Sequence, residues 1–86
     1  MPEISRFYGI VISIRFADHH PPHFHAKYEG NRVAIDIRSL AVMKGSISAR
    51  GLGLVIEWAS IHQAELMEDW ELASAGRPVR KIEPLR

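Results

Sequence analysis

The spacing of apolar residues changes near Ser48, and this change limits the fold more than any other feature of the sequence. Before Ser48, apolar and polar residues alternate, which is typical of β-strands with one buried face. After Ser48, apolar residues recur at helical spacing. Strands followed by helices predict an α+β fold. The expected regions are strands over about 6–47, helices over about 49–75 and an extended tail over 77–86.

Three or four antiparallel strands and one or two helices fit this pattern. Asp18–Pro22 should end the first strand, because neither of its prolines can donate a ladder hydrogen bond. Gly30-Asn31 has the composition of a two-residue hairpin turn. If the helical region breaks, we expect the break near Glu65–Asp69. The predicted strands are 8–16, 23–28 and 33–37, with a further short hairpin within 40–47.

The composition is that of an ordinary globular domain, since 47% of the 86 residues are hydrophobic and 24% are charged. We therefore expect a single domain over 1–86, whose thin core favours association with a second copy or a partner. Cysteines number 0, which excludes disulfides and thiolate metal sites. No apolar run reaches the roughly 20 residues of a membrane-spanning helix, and no signal-peptide pattern is present. The expectation is a cytoplasmic protein without membrane contacts.

Charge is distributed unevenly, although the net charge is only +1. Residues 1–50 carry 7 Lys and Arg against 4 Asp and Glu, and residues 77–86 carry 4 against 1. Residues 51–76 carry 5 acidic residues and no Lys or Arg. This alternation predicts contact with a charged partner, or simply solvated surfaces of opposite sign.

Four of the 5 histidines, His19, His20, His23 and His25, lie within seven consecutive residues. If Glu29 pairs with Arg32 across the predicted turn, one face of the hairpin is uniformly apolar. On the opposite face His25 then lies across from Asp36, and His23 across from Arg38. Directly opposed Cβ atoms are about 4.5–5.5 Å apart, which permits an imidazole–carboxylate hydrogen bond.

This polar face favours metal-independent cleavage of RNA, without any cofactor. Histidine suits proton transfer because its ordinary pKa, about 6.5, lies near neutral pH. In this hypothesis His25 is the general base, Asp36 orients its ring, and His23 is the general acid. Phosphate would be bound by the cations Lys27, Arg38 and Arg50, the last of which lies in the first turn of the helical region.

Two alternatives remain open from the residues alone. In one, His23 and His25 bind a divalent metal together with His19 or His20 and Asp36, since imidazole is a good ligand for zinc, nickel and iron. In the other, the histidines only decorate a solvated strand, and the protein is a non-catalytic binding module.

Several motifs are spread along the chain: Phe7-Tyr8-Gly9-Ile10, the run Asp18–Ala26, Glu57-Trp58-Ala59 with His62 and Glu65-Leu66, Asp69-Trp70 and Lys81-Ile82-Glu83-Pro84-Leu85. Together they resemble domain-of-unknown-function family 4160, and the likeness covers essentially the whole chain. The resemblance implies a small prokaryotic protein encoded beside a partner protein, as in a toxin–antitoxin module. We expect the toxin-like role, and the alternative is a non-catalytic antitoxin or transcriptional regulator. The family commonly has Asn where this chain has His20, which leaves His19, His23 and His25 as the stronger candidates.

Overall fold

In the computed structural model, which describes residues 2–86, a five-stranded antiparallel sheet is followed by two helices. The α+β prediction is confirmed, with five strands rather than three or four. The strands lie side by side in chain order, so each is hydrogen-bonded to the next. The elements are β1 (Glu3–Phe7), β2 (Ile10–Ser13), β3 (His23–Tyr28), β4 (Asn31–Asp36), β5 (Val42–Gly45), α1 (Ala49–Ile61) and α2 (Gln63–Ser74).

The first strand was predicted wrongly, because the alternation over 8–16 contains a turn. Tyr8 and Gly9 have φ values of 49° and 80°, and this pair of positive values is what a two-residue hairpin requires. The turn separates β1 from β2, and β1 is the strand that the apolar pattern did not reveal. The hairpin predicted within 40–47 is instead the single strand β5, which pairs with β4.

The β3–β4 hairpin turns at Glu29-Gly30, where φ is 51° and 81°, one residue earlier than predicted. The register therefore differs by two residues, which leaves every side chain on its predicted face. Ala26 pairs with Val33 on the apolar face. On the other face His25 lies opposite Ala34, so the predicted pairing of His25 with Asp36 is wrong.

The two helices cover the apolar face of the sheet. Trp58 of α1 is fully buried, with its ring centroid 5.4 Å from that of Phe7 and 6.0 Å from that of Phe24. The rest of the core consists of Trp70 and of aliphatic side chains from every strand except β5, from the helices (among them Val55 and Leu66) and from Ile82 of the tail. The opposite face of the sheet carries the polar side chains of the strands and is left uncovered by the helices, except at the start of β3, where Trp70 of α2 packs against His23.

The start and the end of α1 both have identifiable local causes. The Ser48 hydroxyl accepts a hydrogen bond from the backbone N–H of Gly51 at 3.2 Å, as an N-cap does. The helical region breaks at His62, earlier than the predicted break, and this residue has φ −116° and ψ 22°. Its ring packs 5.4 Å from that of Trp58, while the side chain of Gln63 donates to the carbonyl oxygen of Ile37 at 2.9 Å.

The tail 77–86 contains neither helix nor strand, yet it is docked along its length. The backbone N–H of Ile82 donates to the carbonyl of Ile4 at 2.7 Å, and the indole of Trp58 donates to the carbonyl of Glu83 at 2.8 Å. The tail thus covers the outer edge of β1. Within residues 2–86, neither helix has the length and hydropathy needed to cross a membrane.

Candidate metal centre

Asp18 lies at the centre of the histidine cluster. Its loop, between β2 and β3, places Oδ2 at 3.0 Å from Nε2 of His23 and 3.4 Å from Nε2 of His25. The three side chains are only 10%, 2% and 14% exposed, respectively. Two imidazoles and one carboxylate therefore converge in a largely buried position at the start of β3.

Contacts with α2 hold this loop in place. The backbone N–H of Ala17 donates to the carbonyl of Ala73 at 3.2 Å. The ring of Trp70 lies 5.3 Å from the ring of His23 and 5.7 Å from that of His20. The helix thereby sets the position of Asp18 relative to the strand that carries the two histidines.

The tautomer of His23 follows from its backbone contact. Its Nδ1 lies 2.8 Å from the carbonyl oxygen of Pro21, and because a carbonyl only accepts, Nδ1 must carry a proton. If the ring is neutral, Nε2 then has no proton, and its lone pair faces Oδ2 of the Asp18 carboxylate at 3.0 Å. Two acceptors at this distance repel each other unless a cation, either a proton or a metal ion, lies between them.

His19 contributes a third imidazole near the same carboxylate. Its Nε2 is 3.7 Å from Oδ1 of Asp18, and its Nδ1 is 3.2 Å from the carbonyl oxygen of His20. Unlike His23, this side chain is 77% exposed. It therefore lies at the solvent side of the cluster rather than inside it.

The spacing of the three inner atoms suits a metal ion. The ligand atoms of Asp18, His23 and His25 all lie within 4.8 Å of one another. Ligands of a tetrahedral zinc ion bind at about 2.0–2.1 Å and hence lie roughly 3.3 Å apart, close to the two observed separations from Asp18. The hydrogen bond from the other ring nitrogen of His23 to a backbone carbonyl is also a common feature of metal-ligating histidines.

The protonation states also suit a metal ion. Burial by itself would raise the pKa of Asp18, but the backbone N–H of His19 and the ring of His25 outweigh it, so the pKa is lowered. The carboxyl group is therefore ionised at neutral pH. Burial lowers the pKa of His25 despite the opposing effect of Asp18, which favours the neutral imidazole. Its Nε2 donates to Asp18 in the metal-free protein and would offer a lone pair to a metal once the proton lies on Nδ1.

A cavity of about 420 Å³ opens beside the cluster on the uncovered face of the sheet. Ligand pockets commonly have volumes of roughly 300–1,000 Å³. A smaller cavity of about 130 Å³ adjoins it and shares His25 and Arg32 with it. Cationic side chains surround the larger cavity: Arg15, Arg32 and Lys44, beside Asp18 and the three histidines of the cluster.

Only part of the predicted site is assembled. His23 and His25 lie together, with His19 beside them, and Lys27 lines the smaller cavity. Neither Arg38 nor Arg50 lines either of these two cavities. His20 packs its ring on Trp70 instead of joining the cluster.

Asp36 has a structural position outside the cluster. Its Oδ1 accepts hydrogen bonds from the backbone N–H groups of Arg38 and Ser39, at 2.8 and 2.9 Å. Sequence reasoning missed Asp18 because it was interpreted only as part of the segment that ends a strand. The signal that could have identified Asp18 is its position five residues before His23 in a histidine-rich segment. The two prolines of this segment favour a turn that returns the chain toward the strand it left.

Comparison with known proteins gives a family but no function. Residues 9–71 match the family model described as "Domain of unknown function (DUF4160)". No curated protein and no solved structure is significantly similar to the chain. Any functional conclusion must therefore come from the site itself.

Proposed function

Since the chain belongs to the DUF4160 family, whose description gives no function, we propose from the site alone that the protein is a metal-dependent hydrolase of an anionic ester. Asp18, His23 and His25 would bind one divalent transition-metal ion. Imidazole and carboxylate together suit zinc, iron and manganese more than magnesium or calcium, which prefer oxygen ligands.

The position of His23 carries this proposal. Its Nε2 is buried, cannot be the protonated nitrogen of a neutral ring, and faces an ionised carboxylate at 3.0 Å. A metal ion bound there would remove the repulsion between the two acceptors and would also engage His25. Three protein ligands leave coordination positions for water and substrate, as in catalytic zinc sites.

Hydrolysis follows from the chemistry of such a centre. A divalent ion held by Asp18, His23 and His25 would lower the pKa of its bound water to about 7 and so would supply a hydroxide nucleophile at neutral pH. In the hydrolysis of an ester this hydroxyl group would replace the alkoxide, which would leave with a proton. His19 is exposed beside Asp18 and could exchange that proton with solvent. Arg32 and Lys44 would bind the negative charge of the substrate.

Isothermal titration of the metal-stripped protein with zinc tests this proposal. We expect one zinc per chain and at least about 10-fold weaker zinc binding in Asp18→Asn and His23→Gln. Loss of a residue that only hydrogen-bonds to a metal ligand already weakens metal binding about 10-fold or more, and loss of the ligand itself should cost no less. His20→Gln is the matched control, since His20 belongs to the same segment but not to the cluster. Circular dichroism checks that each variant is folded. Equal zinc affinity in all four proteins would contradict the proposal.

A second candidate is supported by the direct contacts between Asp18 and three imidazoles without any metal. It is the metal-independent RNA cleavage expected from the sequence, with Asp18 in the orienting position first given to Asp36. The 2′-hydroxyl would attack phosphorus, one histidine removing its proton and another protonating the leaving 5′-oxygen. Cleavage that persists in EDTA and disappears in His25→Gln would favour this candidate; cleavage abolished by EDTA and restored by zinc would favour the metal centre.

The cellular role implied by the family resemblance, a cytoplasmic toxin neutralised by a partner from the adjacent gene, is a separate proposal. Expression of the chain alone should arrest growth, and co-expression of the neighbouring protein should restore it. Arrest that is unchanged in folded Asp18→Asn and His23→Gln would separate toxicity from the cluster. The absence of any arrest would favour a non-catalytic binding module.

A further inference from the structure

The uncovered face of the sheet brings together cations that have no carboxylate partner. Glu3, the acidic side chain that lines the smaller cavity with two of them, is ion-paired with Arg6 at 2.8 Å instead. Lys27 of β3 and Arg32 of β4 are directly paired residues, so their side chains leave the same face side by side. Like charges directly opposite each other destabilise a sheet. Within residues 2–86, no carboxylate lies within ion-pair distance of Lys27, Arg32 or Lys44. These exposed cations are therefore available to bind an external anion.

The cations occupy two neighbouring rows of the sheet, one of which contains His25 of the histidine cluster. Ser13, His25, Ala34 and Lys44 are successive partners across β2 to β5. The next row contains Lys27 and Arg32, two residues further along the strands, or about 7 Å away. Ala34 is small, which leaves the space between His25 and Lys44 open.

The helical region, on the other side of the sheet, has the opposite charge. The helical region 51–76 has no Lys or Arg, and Glu57, Glu65, Glu68 and Glu71 are exposed on it. A polyanion would therefore be repelled from the helices and attracted to the sheet. This asymmetry orients an approaching anion toward the two cavities.

We propose that the uncovered sheet face binds the phosphodiester backbone of a single-stranded nucleic acid, which passes from Lys27 over Arg32 into the cavity beside Lys44. This inference rests on the proposed function and names its substrate class, a phosphodiester. The two cavities share His25 and Arg32, so one strand can occupy both.

A single strand fits better than a duplex. The side chain of His23 is only 2% exposed, so a phosphate must enter the cavity to reach the cluster. An unpaired strand can bend its backbone into such a cavity, whereas a stiff duplex cannot. Phe16, which is 50% exposed and follows the cavity residue Arg15 in the chain, offers an aromatic ring on which an unpaired base can stack.

Fluorescence anisotropy with labelled oligonucleotides of about eight residues tests the proposal. Binding is measured in EDTA, so that no metal contributes, and with RNA and DNA of the same sequence. The DNA lacks the 2′-hydroxyl and therefore cannot be cleaved by the metal-independent route. For three cations on three phosphates, the logarithm of the affinity should fall with the logarithm of salt with a slope of about −2. Arg32→Gln and Lys44→Gln should each reduce this slope by about 0.7. Arg86→Gln, which removes the same charge from an exposed residue that lines neither cavity, should leave it unchanged.

The outcomes separate this inference from the proposed function, because zinc titration is repeated on the same variants. Lost oligonucleotide binding with unchanged zinc affinity in Arg32→Gln and Lys44→Gln supports the strand path. Equal effects of all three substitutions would mean only non-specific attraction and would overturn it. The strand path would also be overturned if a duplex or an acidic peptide bound more tightly than the single strand, or if the single strand bound no more tightly than a mononucleotide. Either result would do so even if zinc binding is confirmed.

Discussion

At the scale of single residues, two acidic side chains near the histidines have different tasks. Asp18 is ionised against imidazoles in the cluster, while Asp36 accepts backbone hydrogen bonds that shape the loop after β4. The sequence analysis chose Asp36 as the carboxylate that orients the ring of His25, whereas the carboxylate beside His25 in the structure is that of Asp18. A residue's type and its position on a strand face were predictable, but the return of a loop to a strand depends on tertiary contacts.

Asp36 should make stability depend on pH in a defined direction. The backbone N–H of Ser39 is the main cause that lowers its pKa, helped by that of Arg38. The ionised form is therefore preferred in the folded state. Its contribution is fully present above the unfolded pKa, about 3.9, and is lost as pH falls through the lower folded value. Urea unfolding of the wild type and Asp36→Asn should show a stability difference at pH 6 that shrinks below about pH 4. A difference that is constant with pH would contradict this assignment.

Two glycines of α1 should respond oppositely to alanine. A Cβ on Gly51 would lie 2.6 Å from a ring carbon of Tyr28, whereas a Cβ on Gly53 would meet nothing within 4 Å. Gly53→Ala should stabilise the protein by up to about 1 kcal/mol through helix propensity. Gly51→Ala should lose that gain and be destabilising, because the Tyr28 ring must move. Chemical denaturation of both variants is the measurement, and equal stabilisation would show that the contact is unimportant.

At the scale of elements, the hydrophobic pattern predicted faces better than registers. The bounds of β3 were predicted correctly, and its apolar face packs on the helices as expected. A register shift of two residues keeps every face unchanged, so the pattern could not detect it. The turn at Tyr8-Gly9 was hidden because Tyr8 continued the alternation, although its φ is positive.

The tail should behave as a structural element of the domain. Ile82 is 4% exposed and belongs to the core, while Arg86 lies at the exposed end of the tail. Ile82→Ala should lower the free energy of unfolding by about 2–4 kcal/mol. Arg86→Ala should change it by less than about 1 kcal/mol, since exposed ion pairs contribute little. A small effect of Ile82→Ala in urea unfolding would mean that the tail is not docked in solution.

At the scale of the whole molecule, one face of the sheet supplies the core and the other supplies the candidate site. The cluster joins the β2–β3 loop to β3, and Trp70 of α2 packs against the same region. Burial of one face could be predicted from the sequence alone. Convergence of the loop, the strand and the helix on one carboxylate required the three-dimensional structure.

This linkage predicts that metal binding stabilises the entire domain. A ligand that binds only the folded state adds about 2.7 kcal/mol at a concentration 100 times its Kd. Thermal unfolding should therefore shift to higher temperature with zinc in the wild type and in His20→Gln, but much less in Asp18→Asn. A similar zinc response in all three proteins would indicate binding elsewhere, for example at the surface pair His62 and Glu65.

The metal centre is the central claim, and the most direct test is a crystal structure of the zinc-loaded protein with anomalous data at the zinc edge. We predict one strong anomalous peak between Oδ2 of Asp18 and the Nε2 atoms of His23 and His25, at about 2.0–2.2 Å from each. An empty cluster, with His23 bonded directly to Asp18 and zinc absent or bound only at the surface, would contradict the claim.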